Sequence, residues 1–430
     1  MALFIWLGLF ITMFVLGYPI AYGIAASSMA YIIFAGISPA VIVDQMAVKF
    51  ENQFVLLAVP LFILAARIMN EGEITERIFH FANRLVGSLK GGLAHVNIVA
   101  SIIFSGMTGS AVADASGLGL MEIKAMEDAG FDSPFSCAVT AASATVGPII
   151  PPSIPMVIYS MLSGASIGYL FIGGVLPGLL LGISMMAYIM FVSYKRSYPS
   201  GDKFSLKLLG LSFVKAFLPL LTPVILLTGI YTGAFTPTEA AAVATLYATL
   251  LSVIGYRAVG FKKLLTIYKD VVVSTGYISF IVAAAFLFSY VVAREQLPMH
   301  ITDFMMSSGL MANKFVFLLV INILFLILGL VLDPTVALLI VLPIILPLLN
   351  TFSIDLVHFG VVIVLNLMIG LSTPPYGVNL FVVSGLANVP LSKIIKEIWP
   401  FVGVLVAVLL LSTYIPDVIL FLPKLLGYAP

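Results

Sequence analysis

A cluster of prolines interrupts an apolar segment near residue 150, and it constrains this chain more than any other feature. Pro148, Pro151 and Pro152 remove three backbone N–H donors within five residues, so a continuous α-helix cannot pass through. The residue before each proline is also biased toward extended geometry. Carbonyl groups freed by such a break cannot face lipid, because nothing there donates a hydrogen bond. We therefore expect them to face protein, water or a bound ion.

The same device recurs in the second half of the chain, where a Pro-Pro pair again follows a glycine. Residues of the first half match residues of the second at one constant separation along the chain. The pairs are Gly106 with Gly329, Ser110 with Asp333, Asp132 with Asp355, Gly147 with Gly370, Pro151 with Pro374, Pro152 with Pro375 and Pro177 with Pro400. Hydrophobic segments interrupted by glycine and proline at matching positions in two halves are the best sequence indicator of a transporter binding site. The sequence therefore predicts an internal repeat with one broken helix in each copy.

The composition places these broken segments in a membrane. Hydrophobic residues make up 61% of the chain and charged residues only 9%, against roughly 25% charged in a soluble domain. Apolar runs of about 20 residues recur along the whole length, as expected of transmembrane helices, whereas the short alternating runs of barrel strands are absent. Residues 1–35 carry no basic segment and no cleavage site, so we expect them to stay in the membrane.

The segments predict an all-α polytopic membrane protein with inverted repeats, ten spans and two re-entrant helical hairpins. Each repeat holds five full crossings, and an odd number inverts the second copy relative to the first. The hairpins are predicted at 91–129 and 315–349, and the broken helices at 135–161 and 357–385. The predicted domains are scaffold helices with a first surface arm at 1–90, one half of a transport domain at 91–167, scaffold helices with a second arm at 168–313, the other transport half at 314–388 and a C-terminal scaffold helix at 389–430.

Residues 70–88 differ in character from the spans around them. Apolar side chains recur there at helical spacing, at Ile74, Ile78, Phe81 and Leu85. Charged residues take the other face, which is typical of an amphipathic helix lying on the membrane surface. Residues 294–313 are predicted to form the second such arm, and 38–53 a polar connection. With both termini outside, most of the 20 Lys and Arg residues fall in inner loops, as the positive-inside rule requires.

Two hairpin tips and two broken helices are expected to meet at the middle of the membrane. The N-termini of half-helices carry partial positive charge and free N–H groups, which suit an anionic substrate. Backbone carbonyls at unwound turns suit Na⁺. The candidate Na⁺ ligands, mostly through backbone oxygens, are Ser105, Thr108, Gly147, Ile150 and Pro152 in the first half and Gly329, Gly370, Thr373 and Tyr376 in the second. The alternative is that these glycines and prolines only permit kinks and close packing.

Asp333 stands out in the second hairpin, because a carboxylate at that depth is costly unless it is paired or solvated. It is predicted to recognise a substrate hydroxyl or ammonium group, or alternatively to cap the following helix, with Pro334 at its first position. Ser110, its counterpart in the repeat, and Ser153 offer hydroxyls to a polar ligand, although Ser110 is also a candidate cap. Arg67 is interpreted as an arginine that reaches toward the interface.

The chain lacks the motifs that hydrolyse nucleotides or catalyse common reactions. It has no Gly-x-x-x-x-Gly-Lys-Ser/Thr loop, no Gly-x-Ser-x-Gly and no His-Glu-x-x-His, and its 4 histidines are scattered. We therefore expect that the protein is not an enzyme. Energy for transport then has to come from an ion gradient or from another chain.

Three motifs of this chain resemble those of the large membrane subunit of tripartite ATP-independent periplasmic (TRAP) transporters. They are Ser105-Gly-x-Thr-Gly-Ser-x-Val-Ala-Asp114, Gly147-Pro-Ile-Ile-Pro-Pro-Ser153 and Gly370-x-x-Thr-Pro-Pro-x-Gly377. The resemblance covers essentially the whole chain. It implies an elevator-type secondary transporter of the bacterial inner membrane, coupled to two or more Na⁺ ions. It also implies two partners, a small four-helix membrane subunit and a soluble periplasmic substrate-binding protein that delivers the ligand.

The resemblance also implies site residues. The sodium sites of the family fall on the candidate Na⁺ ligands named above, and its substrate contacts fall on Thr108, Ser153 and Asp333. Thr108 departs from the serine of many members, which keeps the hydroxyl and adds a methyl group. Tyr376 varies in the family, so any contribution there is expected from its backbone. The small subunit is expected to be a separate chain.

The sequence thus predicts Na⁺-coupled uptake of a small organic acid anion, such as a dicarboxylate, a sugar acid or sialic acid. The nearest alternative is a self-sufficient ion-coupled anion transporter of the same inverted-repeat build, without a binding protein. An intramembrane enzyme acting on lipid-linked substrates is a third hypothesis. It is disfavoured, because the chain shows no clustered carboxylates or histidines and no metal motif.

Overall fold

The fold is helical throughout the described part of the chain. A computed structural model describes residues 2–307 and 313–429, with the side chains at 302 and 304–307 left out. Within those ranges the secondary structure consists of 22 α-helices with short 3₁₀ and π segments, and no strand. Part of the predicted second arm, residues 308–312, lies outside the described ranges.

The helices follow the predicted order of two repeats. The first repeat contains α1 (Ala2–Val15), α2 (Ile20–Phe34), α3 (Ala40–Val43), α4 (Lys49–Glu51), α5 (Ala58–Glu71), α6 (Ile74–Val86), α7 (Gly92–Thr108), α8 (Ala111–Gly117), α9 (Gly119–Asp128), α10 (Ser133–Ser143), α11 (Ile154–Ser163) and α12 (Ile167–Arg196). The second contains α13 (Leu206–Tyr231), α14 (Pro237–Leu250), α15 (Phe261–Arg294), α16 (Leu297–Ser307), α17 (Lys314–Val331), α18 (Pro334–Thr351), α19 (Leu356–Gly370), α20 (Val378–Ala387), α21 (Leu391–Tyr414) and α22 (Asp417–Leu425).

Helix length and composition confirm a polytopic membrane protein. Among the described residues, 8 helices are long and apolar enough to cross a membrane, including α12, α13, α15 and α21. The predicted broken spans do not reach that length, because each is divided into two halves by its proline break. Both arms of the second hairpin, α17 and α18, do reach it. The count of ten spans and the re-entrant path of the hairpins therefore stay predictions.

The segment 38–53, predicted as a polar connection, joins α2 to α5 and is largely helical. These residues form α3, a π-helical turn at Asp44–Val48 and α4. Within this segment, the Gln45 amide donates a hydrogen bond to the Asp44 carboxylate over 2.9 Å. Helix α15 begins at Phe261, so basic residues that were expected in an inner loop lie within the helix.

The first predicted arm is an amphipathic helix, α6, as expected. Its buried side chains are Ile74, Thr75, Ile78, Phe79 and Ala82. Its charged residues lie on the other side, where Arg77 pairs with Glu73 and His80 lies near Glu76. The buried face packs against α7 and α13, so the arm joins the first hairpin to the outer helices.

Equivalent contacts recur in the two repeats. The Pro151–Pro152 and Pro374–Pro375 peptide bonds are both cis. Aspartates at matching positions, Asp132 and Asp355, precede α10 and α19. Each accepts a hydrogen bond from a tyrosine near the end of its repeat: Tyr198 for Asp132 and Tyr428 for Asp355. Burial and the Asp132 carboxylate raise the pKa of Tyr198 to about 12, so the phenol remains a donor.

The two broken helices are hydrogen-bonded to each other. The Ser372 hydroxyl, in the second break, donates to the Ala141 carbonyl of α10 over 2.6 Å. The Tyr159 hydroxyl of α11 donates to the Leu356 carbonyl at the start of α19 over 2.7 Å. These bonds bring the two breaks together at the centre of the fold, which is what positions the site described below.

Each hairpin also packs against the break of its own repeat at a glycine. In the second repeat, a Cβ atom on Gly370 would lie 2.6 Å from the Cα of Gly329. In the first, a Cβ atom on Gly109 would lie 2.7 Å from the carbonyl oxygen of Pro152. Both contacts are with backbone atoms, which cannot move aside as the end of a side chain can.

Replacing Gly370 with alanine is expected to lower the free energy of unfolding by about 1–3 kcal/mol, because overpacked methyl groups force the backbone apart. The measurement is the thermal unfolding midpoint of the purified protein. Gly403→Ala is the matched control, since its Cβ atom would meet nothing within 4 Å on the apolar helix α21. Equal midpoints for the two variants would show that the close glycine contact is not a constraint.

Candidate functional site

One cavity brings together all four predicted features. Its volume is about 700 Å³, within the range of small-molecule sites. The two hairpin tips contribute residues 108–113, Ser116 and 333–335; the broken helices contribute Pro148, Ile154, Pro155, Met368 and Leu371; and α5 and α15 contribute Ile63, Ala66, Arg67, Asn70, Val273, Ser274, Tyr277, Ile278 and Ile281. The cavity therefore lies between the hairpins and broken helices on one side and two outer helices on the other.

The tip of the first hairpin is a sharp turn that only glycine fits well. Helix α7 ends at Thr108, and Gly109 follows with φ +59°, a left-handed conformation. Ser110 begins α8, and its side chain accepts a hydrogen bond from the Ala113 N–H over 3.4 Å. The Thr108 hydroxyl is buried without a hydrogen-bond partner among the described residues. An unpartnered buried hydroxyl at a cavity wall is free to bind a ligand.

The first break packs against this tip. Gly147 follows the 3₁₀ turn Ala144–Val146, and a Cβ atom on it would lie 3.6 Å from the Ser110 carbonyl oxygen. Pro152 presents its carbonyl oxygen to Gly109, as described above. The predicted ligands Thr108, Gly147 and Pro152 are therefore close together around the hairpin tip.

Three other residues predicted in the first half have structural partners of their own. The Ser105 hydroxyl donates to the Ile102 carbonyl within α7. The Ile150 side chain packs against Gly178 of α12. Ser153 is fully buried and caps α11, accepting from the Met156 N–H over 3.3 Å. Ser153 is not among the residues that line the cavity, and its role as a substrate ligand stays a prediction.

Asp333 occupies the tip of the second hairpin, where its predicted role as a helix cap is confirmed and its role as a substrate ligand stays a prediction. Its side chain accepts a hydrogen bond from the Thr335 N–H over 2.8 Å and so caps α18. Asp333, Pro334 and Thr335 also line the cavity. The cap holds the carboxylate in place without removing it from the cavity.

The predicted ligands of the second break surround the contact of Gly329 with Gly370. The Thr373 hydroxyl donates to the Ile369 carbonyl over 2.7 Å. A Cβ atom on Gly377 would lie 3.0 Å from the Thr373 carbonyl oxygen and 3.1 Å from that of Leu371, so two carbonyls converge there. The Tyr376 side chain is 59% exposed, which leaves its backbone as the part that can face the break.

The expectation of free N–H groups at the half-helix N-termini is wrong for α11 and α18. At α11, Ile154 donates to the Gly109 carbonyl, Pro155 has no N–H, and Met156 donates to the capping serine. At α18, Pro334 has no N–H and Thr335 donates to Asp333. Proline and capping side chains use up the donors that an anion would need.

The sequence interpretation missed Arg67, whose neighbours on α5 place it on the wall of the cavity. Ile63, Ala66 and Asn70 share that wall, at the spacing of one helix face. The available signal was an arginine inside an apolar segment, which is a functional hypothesis by default. Ser274 and Tyr277 of α15 were missed as well, and nothing in their local sequence marks them.

Comparison with known proteins agrees with this architecture. Residues 7–418 match the family model described as "Tripartite ATP-independent periplasmic transporter, DctM component". The sialic acid TRAP transporter large permease protein SiaM of Vibrio cholerae is 42% identical over 428 residues, covering 99% of each chain. The sialic acid permease SiaT of Haemophilus influenzae is 39% identical over 99% of this chain and 68% of its own length. The C4-dicarboxylate large permease DctM of Pseudomonas aeruginosa is 39% identical over 90% of each chain.

The chain is thus a membrane transporter subunit by fold and site, and it belongs to the DctM family of TRAP transporter large permeases. Its relatives are transporter permeases and not enzymes. Membership implies a multi-pass membrane protein that associates with a small membrane subunit and a periplasmic binding protein.

Replacing Thr108 with valine tests whether its hydroxyl stabilises the fold or binds an ion. Because the hydroxyl is buried and unpartnered, removing it should leave the midpoint of thermal unfolding in Na⁺-free buffer unchanged or slightly higher. If the hydroxyl binds Na⁺, the variant should need about tenfold more Na⁺ to reach half of the maximal rise in unfolding midpoint. That factor corresponds to the loss of one interaction with the ion.

The control for this experiment is Thr249→Val on α14. The Thr249 hydroxyl donates to the Thr245 carbonyl within its own helix, and Thr249 is not a cavity residue. An unchanged Na⁺ response in Thr108→Val would remove Thr108 from the ion site.

Proposed function

We propose that this protein drives Na⁺-coupled secondary active uptake of a small organic acid anion across the bacterial inner membrane. A periplasmic binding protein delivers the substrate, and a separate four-helix membrane subunit docks on the scaffold. The observation that carries the proposal is the single cavity lined by both hairpin tips and both proline breaks. In the alternative of purely structural kinks, the breaks would have no reason to converge on one cavity.

The breaks offer the oxygen ligands that Na⁺ requires. In the first repeat these are the Thr108 hydroxyl and the carbonyls of Gly147, Ile150 and Pro152. In the second they are the carbonyls of the residues around Gly370, where that of Thr373 converges with that of Leu371, which also accepts from the Asn379 N–H. Carbonyls at membrane depth need a partner, and a coupled cation supplies one in each repeat.

Packing argues that α12 and α21 move together with the hairpins and broken helices. Helix α12 presents a glycine face to the first break, where a Cβ atom on Gly174 would lie 2.1 Å from the Ile149 carbonyl oxygen. Helix α21 is hydrogen-bonded to the second broken helix, since His358 donates to the Ser412 carbonyl over 3.0 Å. It is also bonded to the hairpin, since Asn322 donates to Thr413 over 3.1 Å. In this proposal both helices belong to the moving body and not to the scaffold.

The scaffold is then built from the outer helices. Helices α1 and α2 pack together, α2 packs on α15, and α5 packs on α14 and α15. The Thr245 hydroxyl of α14 donates to the Leu61 carbonyl in the first turn of α5 over 2.8 Å. An elevator motion would carry the hairpins and their ligands past this wall, so that the cavity opens alternately to each side.

The substrate class follows from the names of the relatives. They transport sialic acid, C4-dicarboxylates and 2,3-diketo-L-gulonate, all of which are organic acid anions. Their permeases share a third or more of their residues with this chain, so the same class is the best-supported substrate here.

The test is uptake into proteoliposomes that contain this chain and its small subunit, with a purified binding protein and its acid outside. Accumulation is expected only under an inward Na⁺ gradient and only with the binding protein present. Accumulation without the binding protein would favour the self-sufficient transporter. Equal accumulation in Na⁺-free buffer would contradict sodium coupling.

A further inference from the structure

We propose that Arg67 binds the carboxylate of the substrate and that Arg67 and Asp333 together select a hydroxylated monocarboxylate over a dicarboxylate. The inference rests on the proposed function and names the substrate class of the same cavity. Among the described residues that line the cavity, Arg67 carries the sole positive charge and Asp333 the sole negative charge.

Arg67 is a cation without a protein anion. The acidic residue one turn further along α5, Glu71, pairs with Lys263 of α15 instead. Arg77 and Arg84 of α6 do have acidic partners, Glu73 and Asp202, whereas no described residue forms an ion pair or hydrogen bond with the Arg67 side chain. A guanidinium that faces a cavity without an anionic partner is available to bind one, and its geometry matches the two oxygens of a carboxylate.

The N-termini of α11 and α18 also reach the cavity, but their first N–H groups are not free. The N-terminus of α18 is capped by Asp333, and the first N–H groups of α11 are absent or bonded. An entering carboxylate therefore finds its charge partner at Arg67 and not at these helix ends.

Asp333 has the opposite requirement. Its cap on Thr335 uses one of the roughly four acceptor positions of a carboxylate, so the others are available to a ligand. An ionised carboxylate accepts hydrogen bonds and donates none, so it suits substrate hydroxyls. It repels a second carboxylate.

The rest of the wall suits a hydroxylated ligand. Hydroxyl and amide groups surround the two charges, from Asn70, Thr108, Ser110, Ser274 and Tyr277. Such groups both donate and accept hydrogen bonds, as sugar hydroxyls do. A short dicarboxylate would leave most of them unused and would place its second charge against Asp333.

The test compares three probes on the purified full chain in nanodiscs with NaCl: N-acetylneuraminate and gluconate as hydroxylated monocarboxylates, and succinate as a dicarboxylate. Dissociation constants are measured by calorimetry. The two hydroxylated acids are expected to bind at least about tenfold more tightly than succinate, because a site built for hydroxyls penalises ligands that lack them.

Two variants test the two charges separately. Arg67→Gln is expected to raise the dissociation constants of all three acids about tenfold, and Arg67→Lys is expected to restore part of the lost affinity. Asp333→Asn is expected to raise the dissociation constants of the two hydroxylated acids. It should also reduce the factor by which they bind more tightly than succinate. Arg84→Gln, which removes an arginine away from the cavity, is the matched control and should bind as the wild type does. Retained stabilisation by Na⁺ shows that each variant is folded.

The inference is overturned if succinate binds as tightly as gluconate to the wild type, or if Arg67→Gln binds all acids normally. Na⁺-driven uptake of succinate but of neither hydroxylated acid would also overturn it while leaving the proposed function intact. Absence of Na⁺-driven uptake of any organic acid in the complete system would instead refute the proposed function, and the inference with it.

Discussion

The structure depends on one constraint: backbone carbonyls uncovered at two proline breaks have to find partners away from lipid. The protein meets it by packing the tip of each hairpin against the break of its own repeat and by tying the two breaks together through Ser372 and Ala141. Glycines at 109, 329 and 370 permit the backbone contacts that this requires. A cavity remains where the hairpin tips and the breaks meet the outer helices, and it is the candidate site.

The same constraint explains why some helices pack tightly around the breaks and others only line the cavity. Elements that cover the breaks, including the glycine face of α12 and the polar groups of α21, form one closely packed body. Helices α5 and α15 only complete the cavity wall, and they bring Arg67 to it. A transporter built in this way can hold its ions within the body while the substrate also meets a charge on the opposite wall.

The fold and the location of the site were largely predictable, because both follow from local rules applied to a repeated sequence. Proline chemistry located the breaks, and apolar spacing located the amphipathic arm. The hairpin tip at Gly109 and the cap at Asp333 followed from residue preferences. The bonded state of the N–H groups at α11 was not predictable, since it depends on Gly109 approaching from another helix. Arg67 was missed for a similar reason: its freedom follows from Glu71 pairing across to Lys263 on α15, which the local sequence does not show.

The most direct test of the central claim is a high-resolution cryo-EM comparison of the protein in NaCl and in choline chloride. The account predicts isolated density in NaCl between the Thr108 hydroxyl and the carbonyls of Gly147 and Pro152, and a second peak beside the Gly370 break. Both peaks should be absent in choline chloride. Breaks whose carbonyls are satisfied by protein alone, with identical maps in the two salts, would contradict it.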